Sequence, residues 1–136
     1  MKIEIFNGYW TRKDIVENKY KVFIFGDNDR RYGKGGQAII RDLNNTIGLR
    51  TKKAPNNKYE SFYTDNEFEL NKNKIDEDIS NIKNIDSSKI LVFSSGGYGT
   101  GLSRLPELAP KTYQYLCEKL LLNFNFDNDR GIKITK

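Results

Sequence analysis

Two glycine-rich segments contain the residue types best suited to holding a ligand. The first glycine segment (residues 26–36, GDNDRRYGKGG) and the second glycine segment (residues 94–101, SSGGYGTG) each follow a β-branched and aromatic run typical of a buried strand. Glycine lets the backbone approach a ligand closely and adopt positive φ, and ligands of open α/β sheets bind beyond the carboxyl ends of the strands. Two such segments that face each other predict a cradle for a pyrophosphate.

Backbone N–H groups and hydroxyls would supply the hydrogen bonds in this cradle. The amides at the start of the helix after each segment favour phosphate, and the serine and threonine hydroxyls of the second segment add donors. The turn after the first strand and the residues flanking the segments complete the set. The predicted ligand-binding residues are Asn7, Gly8, Tyr9, Asp27, Asn28, Gly33, Gly35, Gly36, Gln37, Ser94, Ser95, Gly96, Gly97, Tyr98, Gly99, Thr100, Gly101 and Leu102.

The glycine spacing matches neither of the common nucleotide-binding fingerprints. Residues 32–37 lack the G-x-x-x-x-G-K-[ST] spacing of a P-loop, and no magnesium ligand of the Walker type follows. The G-x-G-x-x-G pattern fails as well, because Ala38 stands where its last glycine would be. Lys34 could neutralise a phosphate, or it could simply be solvated.

The composition restricts the chemistry that an enzyme could perform. The chain has no histidine, which excludes Ser-His-Asp and Cys-His catalysis and removes the commonest zinc ligand. Its single cysteine, Cys117, excludes an internal disulfide framework. We therefore predict neither a metal site nor a cofactor, and catalysis would fall to carboxylates, lysines, hydroxyls and backbone dipoles.

Several side chains near the glycine segments have two interpretations each. Asp27 and Asp29 are candidate acids or ribose ligands, while Asp27 could also close its own turn. Tyr98 could stack on a base or lie over a ribose, or it could pack in the core. Tyr9 and Trp10 could form a wall for an adenine, although a lone tryptophan after a strand also fits the core.

Strands and helices alternate along the chain, which predicts a three-layer α/β fold with a mixed central sheet flanked by helices. The length fits one domain, residues 1–136. The predicted strands are residues 2–6, 20–25, 59–64, 89–93 and 132–134. The predicted helices are residues 36–45, 67–84 and 106–122, with a helical turn within 11–18 and a basic loop over 46–58.

The net charge of +5 and the pI near 9.2 suggest an anionic partner. The basic residues are scattered, so a nucleic acid and a merely solvated basic surface both remain open. No apolar run reaches the roughly 18–20 residues that span a bilayer, which excludes a membrane helix. The first ten residues lack the apolar stretch of a secretory signal, and we expect a cytoplasmic protein.

Both glycine segments resemble those of the macrodomain family. Residues 25–28 (FGDN) with 33–38 (GKGGQA) are similar to the macrodomain strand that enters an Asn- and Gly-rich loop and then a helix. Residues 97–105 (GYGTGLSRL) resemble the second phosphate loop of the branch that contains terminal ADP-ribose glycohydrolases and antitoxins that remove ADP-ribose from DNA. Residues 7–10 (NGYW) resemble the turn of that branch near the adenine. The FGDN…GKGGQA signature is also similar to that of uncharacterised bacterial and phage proteins.

The resemblance implies a macrodomain-like fold that binds ADP-ribose or a related NAD-derived nucleotide. In the glycohydrolase branch, an aspartate of the second loop and a lysine after the first helix form the catalytic pair. Ser103 stands at the aspartate position, and residues 41–45 (RDLNN) contain no lysine. Gln37 stands where the other macrodomain hydrolase type has an acidic residue. The implied activity is therefore binding, with Asp27, Asp29 and Ser103 as the catalytic candidates if hydrolysis occurs.

Three other functions remain open from the sequence. The chain could be an ADP-ribosyl glycohydrolase that acts on modified protein or nucleic acid with a non-standard catalytic set. It could be a phage-type protein that sequesters an NAD-derived signalling nucleotide. It could also be a basic nucleic-acid-binding domain, which the charge alone would favour.

Overall fold

A four-stranded parallel sheet forms the centre of the protein, which a computed structural model describes over residues 1–135. In spatial order its strands are β1 (Lys2–Phe6), β4 (Ile90–Ser94), β2 (Lys21–Asn28) and β3 (Thr46–Lys52). A separate antiparallel pair is formed by β5 (Phe126–Asp127) and β6 (Ile132–Lys133). Because the four central strands run parallel, the loops after their carboxyl ends share one edge of the sheet.

Helices cover both faces of this sheet. They are α1 (Arg12–Val16), α2 (Phe68–Lys83), α3 (Leu105–Leu108) and α4 (Pro110–Phe124), with short 3₁₀ helices at Gly36–Ile40, Tyr59–Ser61 and Asp65–Glu67. The short helix α1 begins at a capping box, in which Thr11 and Asp14 each bind the backbone N–H of the other. Over residues 1–135, no helix combines the length and the apolar character needed to cross a membrane.

Alternating side chains of the strands build two hydrophobic cores, one on each face of the sheet. On one face, Ile24, Leu91 and Phe93 pack with the buried residues of α2 and α4. On the other face, Phe23 packs with Trp10 and with residues from α1 and the first 3₁₀ helix. This three-layer arrangement confirms the predicted α/β class, with a parallel central sheet and a separate antiparallel pair, β5 and β6.

The apolar periodicity correctly predicts the principal elements. The helix predicted over residues 67–84 is α2, in which Ile75, Ile79 and Ile82 are buried. The two buried runs are β2 and β4. The helix predicted over residues 106–122 is divided into α3 and α4, because the backbone of Ala109 leaves the helical region at φ −148°.

The prediction of one helix over residues 36–45 is wrong beyond Ile40. The 3₁₀ helix stops there because the chain must reach the start of β3, which pairs in parallel with β2. The side chain of Asn45 fixes this connection, since its amide donates to three carbonyl oxygens between Ile15 and Lys21 at 3.0, 3.2 and 3.1 Å.

The prediction of a basic loop over residues 46–58 is wrong for its first half, which is β3. The charge of Arg50 conceals the strand because it is satisfied inside the fold. The backbone N–H of Arg50 donates to Asp78 of α2 at 2.7 Å, and its Nε donates to the same carboxylate at 3.1 Å. The charge of Arg50 therefore does not indicate that β3 is exposed to solvent.

The prediction of a strand over residues 59–64 is also wrong. This stretch forms the 3₁₀ helix Tyr59–Ser61, followed by a single antiparallel bridge between Phe62 and Lys52. Tyr63 is fully buried, so its aromatic side chain packs in the core without belonging to a β-strand.

Candidate functional site

A cleft of about 290 Å³ opens at the carboxyl ends of β1 and β4. Its volume is close to the lower end of the range of about 300–1,000 Å³ found for small-molecule sites. All of its lining residues except Trp10 belong to the predicted ligand-binding set, and none of them is acidic among the residues described. The lining consists of Gly8, Tyr9, Trp10, Gly36, Gln37, Ser94, Ser95 and Gly96.

Two serines hold the backbone around the cleft. Ser94 Oγ accepts from the N–H of Gly96 at 3.2 Å, and Ser95 Oγ accepts from the N–H of Gly8 at 3.1 Å. Each hydroxyl keeps its own proton, so each can also donate to a ligand oxygen. The Ser95 hydroxyl thereby joins the turn after β1 to the end of β4, and both serines line the cleft.

Gln37 connects the first glycine segment to the second. Its Oε1 accepts from the N–H of Gly26 at 2.7 Å, and its Nε2 donates to the carbonyl oxygen of Gly97 at 2.9 Å. Its backbone carbonyl oxygen accepts from Nε1 of Trp10 at 3.0 Å. The Gln37 side chain is therefore a brace between the two walls of the cleft, in addition to lining it.

The aromatic side chains near the cleft take different roles. The ring of Tyr9 is 96% exposed at the rim. Trp10 is buried and packs edge-on against Phe6 and Phe23, with ring centroids 5.8 and 5.7 Å apart, so the core interpretation holds for most of its surface. Tyr9 is the aromatic residue positioned to meet a ligand.

The prediction that Tyr98 contacts a ligand is wrong, because its side chain is only 1% exposed. Its hydroxyl donates to the carbonyl oxygen of Ile24 at 2.7 Å and accepts from the N–H of Ser94 at 2.9 Å. Burial raises the pKa of the Tyr98 phenol. The ring packs against Phe93 and Phe126 in the core, which the neighbouring glycines permit by turning the backbone at positive φ.

The other predicted residues of the second glycine segment lie outside the cleft. Gly97 and Gly99 are buried, and Gly99 packs against Leu105. The Thr100 hydroxyl donates to the carbonyl oxygen of Gly96 at 3.0 Å, so it supports the loop. Gly101 and Leu102 are exposed and are not part of the cleft lining.

The first glycine segment enters the cleft only at its end, through Gly36. Gly33 faces Pro55, and its carbonyl oxygen accepts from Nε of Arg41 at 2.7 Å. Asn28 is buried and closes its own turn by accepting from the N–H of Arg30 at 3.0 Å. Asn7 and Gly35 are exposed and do not line the cleft.

Asp27 and Asp29 are engaged within the fold and do not line the cleft. Asp27 is buried and forms ion pairs with Arg31 at 2.8 Å and Arg41 at 2.6 Å. Asp29 accepts from the Tyr63 hydroxyl at 2.5 Å and pairs with Lys74 at 2.6 Å. Burial, with a smaller contribution from Asp29, raises the pKa of the Tyr63 phenol. Neither carboxylate is free to act as a base on a ligand in the cleft.

Ser103 also lies away from the cleft, where its Oγ is 2.6 Å from Oγ1 of Thr51. The glycohydrolase resemblance implies a catalytic lysine near residues 41–45, which contain none. The structure instead has a largely buried lysine, Lys52, next to Thr51 in the chain. Burial lowers the pKa of the Lys52 ammonium.

Two residues that the sequence analysis does not identify support the second glycine segment. Asn128 accepts from the N–H of Tyr98 at 2.8 Å and donates to the carbonyl oxygen of Tyr98 at 2.9 Å. Gly131, at φ +64°, lies directly against the carbonyl group of Ser95. The DNDRG sequence around them is a turn signal, but no local pattern relates it to a loop about thirty residues earlier.

A second, larger cavity of about 360 Å³ lies at the opposite edge of the sheet, near the amino ends of the strands. Its lining contains none of the predicted site residues and combines Val16, Val22 and Leu43 with Lys19, Asn44, Asn45 and Lys89. We assign the candidate site to the smaller cleft, because that is where the loops after the strands converge.

The fold and the cleft define a three-layer α/β protein whose ligand-sized site lies at the carboxyl ends of its parallel strands. Residues 5–119 match the model of a family described as "Family of unknown function (DUF7831)", and the chain belongs to that family. The matched range includes every residue that lines the cleft. No curated protein and no solved structure matches the chain.

Proposed function

We propose that the protein binds ADP-ribose or a related NAD-derived nucleotide in the cleft, and that its fold is macrodomain-like. The observation that carries the proposal is the convergence of glycine backbone and two serine hydroxyls from three separate loops on one cleft without an acidic lining residue. Such a surface offers hydrogen-bond donors to an anion and imposes no carboxylate repulsion on it. The glycine segments that resemble macrodomain loops add to this support.

The arrangement favours one orientation of the nucleotide. A phosphate would lie against Gly36 and Gly96, which are exposed, and beside the hydroxyl of Ser95. The base would lie at the rim against Tyr9, whose exposed ring offers a flat apolar face. Trp10 would contribute only the part of its ring that reaches the cleft.

Binding is favoured over hydrolysis because the catalytic candidates are occupied elsewhere. Asp27 and Asp29 form ion pairs, and Ser103 contacts Thr51, so none of the three lines the cleft. A hydroxyl without a neighbouring base is a poor nucleophile. A protein that sequesters an NAD-derived signalling nucleotide would use this same binding activity.

A titration with matched glutamate variants tests the proposal. Gly96→Glu should abolish ADP-ribose binding, because it places a carboxylate at the phosphate position. The fold accommodates this side chain, since a Cβ on Gly96 would have its nearest neighbour at 3.5 Å. The control is Ser87→Glu, which makes the same charge change at an exposed turn near the opposite edge of the sheet.

Isothermal titration and thermal shift would measure the binding. We expect one ADP-ribose per chain for the wild type and for Ser87→Glu, with stabilisation of roughly 2.7 kcal/mol at about 100 times the dissociation constant. Absence of heat and of stabilisation with ADP-ribose, NAD and cyclic ADP-ribose isomers at millimolar concentration would refute the proposal.

A salt titration separates this function from nucleic-acid binding. A dinucleotide has two phosphates, whereas a contact with six to ten phosphates of a duplex loses about 10³–10⁵ in affinity between 50 and 200 mM salt. We expect a shallow salt dependence for ADP-ribose and weak binding of short DNA. A steep dependence with DNA, combined with weak nucleotide binding, would favour the nucleic-acid alternative.

A further inference from the structure

Lys52 is a largely buried residue whose ammonium group has no counterion among residues 1–135. Its side chain and backbone together are 6% exposed. The buried carboxylates of the fold are paired, for example Asp27 with Arg31 at 2.8 Å and Asp78 with Arg50 at 3.1 Å. Within the described residues, Lys52 Nζ has neither an ion pair nor a hydrogen bond. Burial of most of the side chain removes part of the hydration of this ammonium, and no carboxylate compensates for it.

A second cation lies beside the same aromatic ring as Lys52. Nζ of Lys52 is 4.6 Å from the ring centroid of Phe62, and Cζ of Arg104 is 5.8 Å from that centroid. Both distances are within the roughly 6 Å over which a cation is attracted to an aromatic ring. The only carboxylate paired with Arg104 in the described part of the chain is Glu107, at 2.9 Å, and both side chains of that pair are exposed by half or more.

The fold brings these residues together where β3 ends. Lys52 is the last residue of β3 and forms a bridge with Phe62. Arg104 follows Ser103, whose Oγ lies 2.6 Å from Oγ1 of Thr51. The end of the strand and the start of α3 are therefore in direct contact through the residues that precede the two cations.

We propose that Lys52 and Arg104 bind one phosphate group, either as free phosphate or as a phosphomonoester, at a site separate from the cleft. Two cations beside one aromatic ring match a dianion, and the planar guanidinium of Arg104 can donate two parallel hydrogen bonds to phosphate oxygens. The anion supplies the counterion that Lys52 lacks. Phe62 shields one side of the site from water. Neither cation lines the cleft, so this site does not depend on the nucleotide proposal.

Lysine-detected NMR with sodium phosphate as the probe tests the site. Lysine is labelled with ¹³C and ¹⁵N, and phosphate is titrated against sodium chloride at matched ionic strength. We expect the Lys52 side-chain resonance to shift saturably and its pKa to rise, because a bound anion stabilises the ammonium form. O-phosphoserine is titrated in parallel. Saturation by both compounds assigns the site to a phosphate group, and saturation by inorganic phosphate alone assigns it to the free ion.

Two variants and one control make the assignment specific. Lys52→Met should abolish the stabilisation by phosphate in a thermal shift, and Arg104→Asn should weaken the phosphate binding that the Lys52 resonance reports at least tenfold. Asparagine is chosen because Arg104 has φ +50°, a region that asparagine tolerates well. Lys58→Met, which changes an exposed lysine after the same strand, should bind phosphate like the wild type.

A general effect of charge would give a different result. If all lysine resonances shift together without saturation, or if Lys58→Met weakens binding as much as Arg104→Asn, the site does not exist. Should Lys52→Met fail to fold, Arg104→Asn with the thermal shift in phosphate against chloride decides the question alone. Equal stabilisation of Arg104→Asn and the wild type by phosphate would overturn the proposal.

Discussion

Gly97 and Gly99 of the second glycine segment pack against other parts of the chain, whereas Gly35 and Gly36 of the first face solvent. A Cβ on Gly97 would lie 2.6 Å from the backbone oxygen of Asn128, and a Cβ on Gly99 would lie 2.5 Å from Cδ1 of Leu105. A Cβ on Gly35 or Gly36 would meet nothing within 4 Å in the described part of the chain. Similar glycine content therefore has two different physical causes.

The difference assigns the two segments different tasks. The second segment requires glycine at positions 97 and 99, because the backbone there is buried at positive φ against Asn128 and Leu105. The first is open at Gly35 and Gly36, and only Gly36 and the adjacent Gln37 reach the cleft. The cleft thus has one wall fixed by packing and one wall held mainly by the amide of Gln37.

The largest effect is expected where a side chain cannot be accommodated beside the second segment. Gly131→Ala would place a Cβ within the contact distance of the Ser95 carbonyl group, at φ +64°. We expect a loss of about 4 kcal/mol or more in the free energy of unfolding, or failure to fold. Gly35→Ala is the control, and it should change stability by less than about 1 kcal/mol. Denaturant unfolding measures both, and equal effects would remove the distinction between the segments.

A comparison of two asparagines tests how strongly each segment is held. Asn128→Ala leaves the buried N–H and carbonyl group of Tyr98 without partners, which should lower the free energy of unfolding by about 2–4 kcal/mol. Asn28→Ala removes similar bonds to Arg30 and Tyr32 in the first segment, where water can replace them, and should lose about 1 kcal/mol. Unfolding curves of both variants check this order, and a larger loss for Asn28→Ala would contradict it.

Gln37→Glu should weaken the connection between the segments in a pH-dependent way. At neutral pH the introduced carboxylate still accepts from Gly26 but cannot donate to the carbonyl oxygen of Gly97, which should lower stability by about 1–3 kcal/mol. The neutral acid can donate, so its pKa in the folded protein lies above the value of about 4.3 in the unfolded chain. Because the folded state then binds the proton more tightly, the deficit relative to wild type shrinks as the pH falls through the folded pKa.

The sole tryptophan provides a local measurement of the same variant. Trp10 Nε1 donates to the carbonyl oxygen of Gln37, so its fluorescence reports on this wall of the cleft. The emission of Gln37→Glu should differ from that of the wild type at pH 7 and approach it at low pH. If the loss of stability does not change with pH, the lost hydrogen bond to the carbonyl oxygen of Gly97 is not its cause.

The smallest effect is expected from the exposed ion pairs of Asp42, one of which reaches Lys34 in the first segment. Asp42 contacts Arg12 and Lys34, and the hydrogen bond from Arg12 holds the pKa of its carboxyl well below the ordinary value of about 3.9. This contribution is present at neutral pH and is lost as the pH falls towards the lowered pKa. Asp42→Asn should therefore lower the denaturation midpoint slightly at low salt and hardly at all in 1 M NaCl, where exposed charges are screened. A loss of equal size at both salt concentrations would show that the effect is not electrostatic.

Much of the fold and part of the site could be predicted because the signals are local. The aromatic and β-branched runs of β2 and β4 and the isoleucine spacing of α2 indicate their elements directly. Strand-to-glycine transitions place the cleft at one edge of the sheet, and Gly8, Gly36 and Ser95 line it as expected. Strand β3 was missed because Arg50 is satisfied by Asp78, a contact that lies 28 residues away in the chain.

The sequence by itself determined the α/β class and the two glycine segments, since hydrophobic periodicity and glycine content act over a few neighbouring residues. Only the tertiary structure decided which residues of those segments reach the cleft. The Gln37 side chain joins Gly97 across 60 residues, and Asn128 turns Tyr98 inward from 30 residues away. Ion pairing inside the fold likewise removes Asp27 from the set of free acids. These outcomes depend on which distant groups satisfy each buried polar atom, and no local pattern contains that information.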